Sequence, residues 1–216
     1  MADSKHVSSG AMEHPHPGED KLGIDRLVFF SDAVYAIAIT LLVIDIRLPA
    51  ATGELGDRQL WGALLALWPK YLAYALSFWV IAGFWSRHHA KFSYVRRYDS
   101  RLILLNLLNL MFIAFLPFPT SVIAEYGNRS ATIFYALSVA LAGLSATAVS
   151  YYILRDGRFV DGDVDPALRR RAILRSLITP AIFLISIGLA LLNDTLAQLS
   201  WLLLIPAGLL LRDPKA

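Results

Sequence analysis

The sequence predicts an all-α membrane protein with six transmembrane helices, and three observations carry that prediction. Of the 216 residues, 56% are hydrophobic and only 17% charged, where soluble domains carry about 25% charged residues. Several apolar runs approach the roughly 20 residues that a helix needs to cross about 30 Å of hydrocarbon. The basic residues gather in alternate loops, which is the asymmetry that orients membrane helices. Mean hydropathy is +0.53. The spans and their short connections use nearly everything after residue 25, leaving no room for a second soluble domain.

Residues 1–24 lack the basic region and short apolar core of a cleaved leader. With His6, His14, His16, Pro15, Pro17 and Gly18 they read as a flexible, solvated tail and not as a metal site. A six-helix transmembrane domain is expected over 25–212, followed by a short tail at 213–216. Asp25 is a candidate N-cap for the first helix, which is expected to run to about Arg47 before Pro49 ends it. The second span lies within 60–86, with Pro69 placed to break a short entry helix from the span proper. Residues 86–101 are read as a basic loop. The third span, 102–124, contains Asn106, Asn109 and the break Pro117-Phe118-Pro119. The fourth, 131–154, is rich in the small residues that let membrane helices pack closely. A charged loop over 155–171 precedes the fifth span, 172–192, which Pro180 is expected to interrupt. A tight Asn193-Asp194 turn leads to a short sixth span, 196–211, only about 24 Å long at 1.5 Å per residue.

The loops also set the topology. Arg87, Lys91, Arg96, Arg97 and Arg101 lie on one side with Arg155, Arg158, Arg169, Arg170, Arg171 and Arg175. Arg47, Arg58, Lys70 and Arg129 lie on the other. The bias puts the basic loops and both termini in the cytoplasm.

The first helix carries the chemistry that a lipid-facing helix lacks. Asp32 within an apolar run costs about 2.5–3.5 kcal/mol on insertion scales, so it calls for a functional reading. It reads either as a hydrogen-bonded anchor, the commoner use of polar residues in membranes, or as an ion site. Ile37, Thr40, Leu41 and Ile44 share one face by their spacing. That stripe is either a packing or lipid-facing surface, or one wall of a hydrophobic constriction repeated around an axis. Asn106 and Asn109, three apart, read as interhelical hydrogen-bonding residues. Adjacent His88 and His89 point in different directions on a helix and do not form a zinc face, though one of them is placed to meet Asp32.

Several motifs are missing. The chain has no cysteine, no phosphate-binding loop, no His-Glu-x-x-His and no Gly-x-Ser-x-Gly. It also lacks the Thr-Val-Gly-Tyr-Gly carbonyl filter and any arginine-rich sensor helix. Neither an enzyme nor a nucleic-acid-binding protein is expected, and no cofactor or resident metal.

Arg26-x-x-x-Phe30-Ser31-Asp32-Ala33 followed by Ala36-Ile37-Ala38-Ile39-Thr40-Leu41-Leu42 resembles the signature of the transmembrane protein 175 family, endosomal and lysosomal potassium channels with prokaryotic relatives. Phe84-Trp85 with His88-His89, and residues 107–120 ending in Leu-Pro-Phe-Pro-Thr, extend the likeness over most of 26–126. The resemblance implies a potassium-permeable leak channel in the cell membrane, with no cofactor and potassium as the permeant ion. It implies that Ile37 is the narrowest point of the pore, that Leu41 and Ile44 lie one and two turns outward, and that Thr40 is the polar position linked to cation preference. Arg26, Phe30, Ser31 and Asp32 then match a network holding the pore helix, which Trp85, His88, His89 and Asn106 are expected to join. Asp45, where relatives often have Glu, would sit at the outer mouth. The single Phe-Ser-Asp motif implies one repeat per chain and hence a homotetramer with four first helices round the pore. The alternative is a proton-coupled secondary transporter using Asp32 and a nearby His, although one such motif gives no inverted repeat.

Overall fold

The computed structural model describes residues 17–48, 56–155, 157, 159–160 and 165–204, and helices account for most of them. Helix α1 (Pro17–Leu41) tightens at its end into a 3-10 turn, Leu42–Asp45. The expected start after Asp25 is therefore too late, because residues 17–24 already belong to the helix. Proline suits a first helical position, where no amide donor is needed. Tertiary contacts hold the extension: Ile24 is buried with Phe92, Val95 and Leu102, and the Tyr98 ring lies directly against Gly23, where a Cβ would collide with it. The tail histidines at 6, 14 and 16, and the loop around Pro49, lie outside the described residues.

Helices α2 (Asp57–Ala66) and α3 (Trp68–Phe92) meet at a 45° bend, with Pro69 just inside the second. α3 runs further than expected. Its inner face continues through buried Phe84, His88 and Phe92, so Arg87, His88, His89 and Lys91 ride on a helix and not in a loop. Helix α4 (Ser100–Phe115) is capped by Asp99, whose side chain accepts from the Leu102 amide at 2.8 Å. The prolines at 117 and 119 separate it from α5 (Pro117–Tyr126). Helix α6 (Arg129–Arg155) is the axis of the chain, and its apolar stretch is far more buried than those of α1 and α7. Its alanines, serines and Gly143 let α4, α5 and α7 close around it. Helix α1 packs at the rim, on α3 and α4.

Helix α7 (Pro166–Leu192) starts at its Asp165 cap, which places Arg169, Arg170 and Arg171 on the helix and not in a loop. Pro180 does not interrupt it. A proline inside a helix normally costs about 3 kcal/mol, because it frees the carbonyl four residues back and its ring crowds the preceding turn. Here the freed Ser176 carbonyl accepts from Thr147 Oγ1 of α6 at 3.1 Å. The same hydroxyl lies 2.8 Å from the Gly143 carbonyl. The ring itself fills the space over Gly143, where an added Cβ would lie 2.8 Å from Pro180 Cδ. Thr147→Val keeps the shape and orphans the carbonyl, so unfolding of the detergent-solubilised protein is expected to be easier by about 1–3 kcal/mol. An unchanged midpoint would mean that Pro180 needs no partner.

Asn193 caps helix α8 (Asp194–Ser200), which runs into a 3-10 turn at Trp201–Leu203. Residues 205–216, which hold the remainder of the expected sixth span (to 211) and the expected tail, lie outside the described residues. Among the described residues four helical stretches are long and apolar enough to cross a membrane, namely α1, α4 continued by α5, α6 and α7, or up to five if the bent α2–α3 pair is one span.

Candidate functional site

Helix α1 has two unlike faces. Ile24, Ser31, Tyr35, Ala38 and Leu42 are buried, at helical spacing, against the rest of the chain. On the opposite side Phe30, Ala33, Ile37, Thr40, Leu41 and Ile44 are exposed. Ile37 is 57% exposed and Ile44, in the 3-10 turn that ends the helix, 52%, large values for such residues in an apolar stretch. Thr40 Oγ1 donates to the Ile37 carbonyl at 2.9 Å, so its oxygen keeps acceptor capacity toward the open side.

The buried face is fastened by polar groups in successive layers. Asn106 Nδ2 of α4 donates to Ser31 Oγ at 2.9 Å, while Ser31 donates to the Leu27 carbonyl. His88 Nε2 of α3 lies 2.8 Å from Asn106 Oδ1, which can only accept, so the imidazole carries its proton on Nε2. One turn further along, Tyr35 Oη donates to Asn109 Oδ1 at 3.3 Å. Asn109 Nδ2 in turn donates to the Ala142 carbonyl and to Ser145 Oγ of α6. Ser31 and Tyr35, four apart, thus meet Asn106 and Asn109, three apart, and lock the rotation of α1 about its own axis. Nearer the surface, Trp85 Nε1 donates to Asp32 Oδ1 at 2.9 Å, and His89 packs on the Trp85 ring at 5.6 Å between centroids.

Of the residues singled out in the sequence, Ser31, Asp32, Trp85, His88 and Asn106 are joined by hydrogen bonds, and His89 by ring contact. Arg26 and Phe30 are exposed beside them, and the Arg26 guanidinium makes no hydrogen bond among the described residues. The Asp32–histidine contact that a protonatable pair needs does not form: Asp32 bonds Trp85, and His88 bonds Asn106. Asp45 is exposed at the far end of the helix, where Lys70 and Glu125 pair at 2.7 Å. Among the described residues no three His, Asp or Glu side chains gather as a metal site requires. Sequence reasoning missed Tyr35 and the polar knot of Ser77, Thr120 and Tyr135, with links of 2.8 and 2.9 Å. The i, i+4 spacing of Ser31 and Tyr35 was the available signal for the first.

The family model described as "Endosomal/lysosomal potassium channel TMEM175" matches residues 26–117, the stretch that builds this network. A potassium channel of Streptomyces collinus is 41% identical over 170 residues, 76% of this chain and 81% of the relative. The chain belongs to the TMEM175 family. A second relative in that family, a potassium channel of Chamaesiphon minutus, is 46% identical over 101 residues, 47% of this chain and 49% of its own. The crystal structure of a lysosomal potassium-selective channel TMEM175 homolog from Chamaesiphon minutus superimposes with a TM-score of 0.76 at 30% identity, covering 88% of this chain and 99% of that one. The TMEM175 proteins matched are channels, not enzymes, and this chain shares their membrane-spanning helical fold.

Proposed function

We propose that this chain is the subunit of a potassium-permeable leak channel whose first helix lines the pore. The observation that carries the reading is the unpartnered apolar face of α1, set directly opposite a face held by hydrogen bonds. A single chain supplies one such face, and closing a pore needs copies; four, as a homotetramer, is the arrangement we favour. Ile37 forms the constriction, Leu41 and Ile44 widen it outward, and Thr40 offers one hydroxyl per subunit beside it. Asp45 at the outer mouth concentrates cations. Because the sequence contains no Thr-Val-Gly-Tyr-Gly loop, conduction runs through a hydrophobic ring that must hydrate before an ion passes. Arg26, Phe30, Ser31, Asp32, Trp85, His88, His89 and Asn106 act as the clamp that sets the rotation of α1 and hence the ring. The remaining parts of the reading are six spans, basic loops and both termini in the cytoplasm, and a channel domain beginning at α1 and ending near 212, in the plasma membrane. The relatives' names as potassium channels support it.

Purified protein in a planar bilayer is expected to give ohmic single-channel steps and a bi-ionic reversal potential displaced in favour of potassium over sodium. Saturable flux of fixed stoichiometry without unitary steps would replace the channel by a transporter. Asp32→Ala releases Trp85 and is expected to lower the yield of assembled tetramer, read by mass, before it changes conductance. A stable tetramer with altered ion affinity would instead make Asp32 an ion ligand.

A further inference from the structure

A small cleft lies where α1, α3, α4, α6 and α7 converge toward the basic end of the bundle, with Tyr35, Asn109, Ser150 and Ser176 on its walls beside Arg87 and Lys91. Its ≈20 Å³ has room for about one water or one oxygen atom of a larger group. No carboxylate lines it.

Both cations are under-used. Arg87 Nη2 donates to Thr179 Oγ1 at a long 3.4 Å, and its guanidinium sits over the Phe84 ring at 5.1 Å. Lys91 Nζ donates to the Ala146 carbonyl at 3.2 Å. Arginine has five N–H donors and lysine three, so most of their capacity is unspent, and neither forms an ion pair with a carboxylate among the described residues. The direction of Arg87 sharpens the point. A long basic side chain near a membrane surface ordinarily snorkels outward to water. α3 ends at Phe92, yet the Arg87 head lies back beside Gly83 and Phe84 and against Thr179, well inside α7. Arg87 stays exposed along the helix and Lys91 is half-buried, so the pair presents two positive charges at the mouth of a cleft with no carboxylate in its walls, and an anion there would supply the missing counter-charge.

The geometry points to a binding site for a phosphate group at this cleft. One phosphate oxygen enters beside Lys91, which has N–H donors to spare, past the Ser150 and Ser176 hydroxyls that donate to the Ala146 and Ile173 carbonyls, and the exposed Arg87 fork takes the outer oxygens, the planar pairing for which guanidinium is suited. Basic pockets between membrane helices are where anionic lipid headgroups are held, and a free phosphate has the same recognised chemistry. The site is separate from the exposed face of α1 and does not rest on the pore assignment.

The test uses the purified, assembled protein in detergent. Its thermal unfolding midpoint is followed against phosphatidylglycerol, a phosphate-free glycosyl diacylglycerol and inorganic phosphate. A saturable rise is expected with phosphatidylglycerol and none with the glycolipid. In Arg87→Gln/Lys91→Gln the half-saturating concentration is expected to increase about tenfold or more, the loss that follows from removing charge-assisted bonds. Arg58→Gln, on the other side, should leave it unchanged. A rise with inorganic phosphate as well supports recognition of the oxyanion alone, and a rise confined to phosphatidylglycerol supports a lipid site. Identical lipid responses in the double variant and the wild type, or an equal rise with the glycolipid, would overturn the proposal. So would loss of oligomer in the double variant with the lipid response intact, which would give Arg87 to a subunit contact. Should the double variant not assemble, the single Arg87→Gln change at an exposed position reads the same response.

Discussion

Ile37→Asn is expected to raise unitary current and to weaken the preference for potassium over sodium. The energetics follow from the exposed stripe. An isoleucine side chain carries about 1.5–3 kcal/mol of hydrophobic transfer free energy, and a tetramer would place four of them around one point. Water and ions are held back there because the ring offers no polar partner, whereas an asparagine brings donors and acceptors to the same depth. Lowering the passage barrier by about 1.4 kcal/mol gives a tenfold larger rate, so a change of that order is the expected scale. The exposed position of Ile37 makes the variant tolerable to the fold, since more than half of the residue is uncovered within the chain. Recordings with unchanged conductance and reversal potential would take Ile37 out of the ion path.

The second large effect is expected at Asn106, which is completely buried and bonded on both sides. Asn106→Leu removes the ties to Ser31 of α1 and His88 of α3 together. Ser31 retains its bond to the Leu27 carbonyl, but the His88 Nε2 proton is left without an acceptor, and the Nδ1 lone pair already has no donor among the described residues. Leaving a buried donor unmade costs about 1–3 kcal/mol, and interhelical bonds in membranes are worth about 0.6 kcal/mol on average. A loss of about 2–3 kcal/mol in unfolding free energy is therefore expected, measured by denaturation in detergent. Because Asn106 also fixes the rotation of α1, protein that survives should show altered selectivity although Asn106 never meets the ion. A variant equal to wild type in both stability and selectivity would mean that α1 is positioned by apolar packing alone.

Much of this was legible in the sequence where the determinant is local. Pro69 and the pair Pro117 and Pro119 mark real breaks, and the spacing of Asn106 and Asn109 anticipates a polar seam. The misses have a common cause, which is compensation from a distant residue. Pro180 reads as a helix break until Thr147 and Gly143 of another helix are known to accommodate it. The helical turn before Asp25 depends on Tyr98 and on the cluster around Phe92. α3 runs past its expected end because the charges there read as a loop, while His88 and Phe92 pack inward on the same turns. Periodicity was also unable to say what Ile37, Thr40, Leu41 and Ile44 face. Core, lipid and pore stripes share one helical period, and only the burial of the opposite side separates core from the other two.

The chain contains no cysteine, so one introduced thiol can report on that face without background. The decisive measurement is the current through Ile37→Cys channels in a planar bilayer before and after a positively charged methanethiosulfonate reagent, with labelling confirmed by mass. The pore assignment predicts that current falls as the thiol is modified and that permeant ions slow the modification. Full labelling with undiminished current would contradict it and return the stripe on α1 to the lipid.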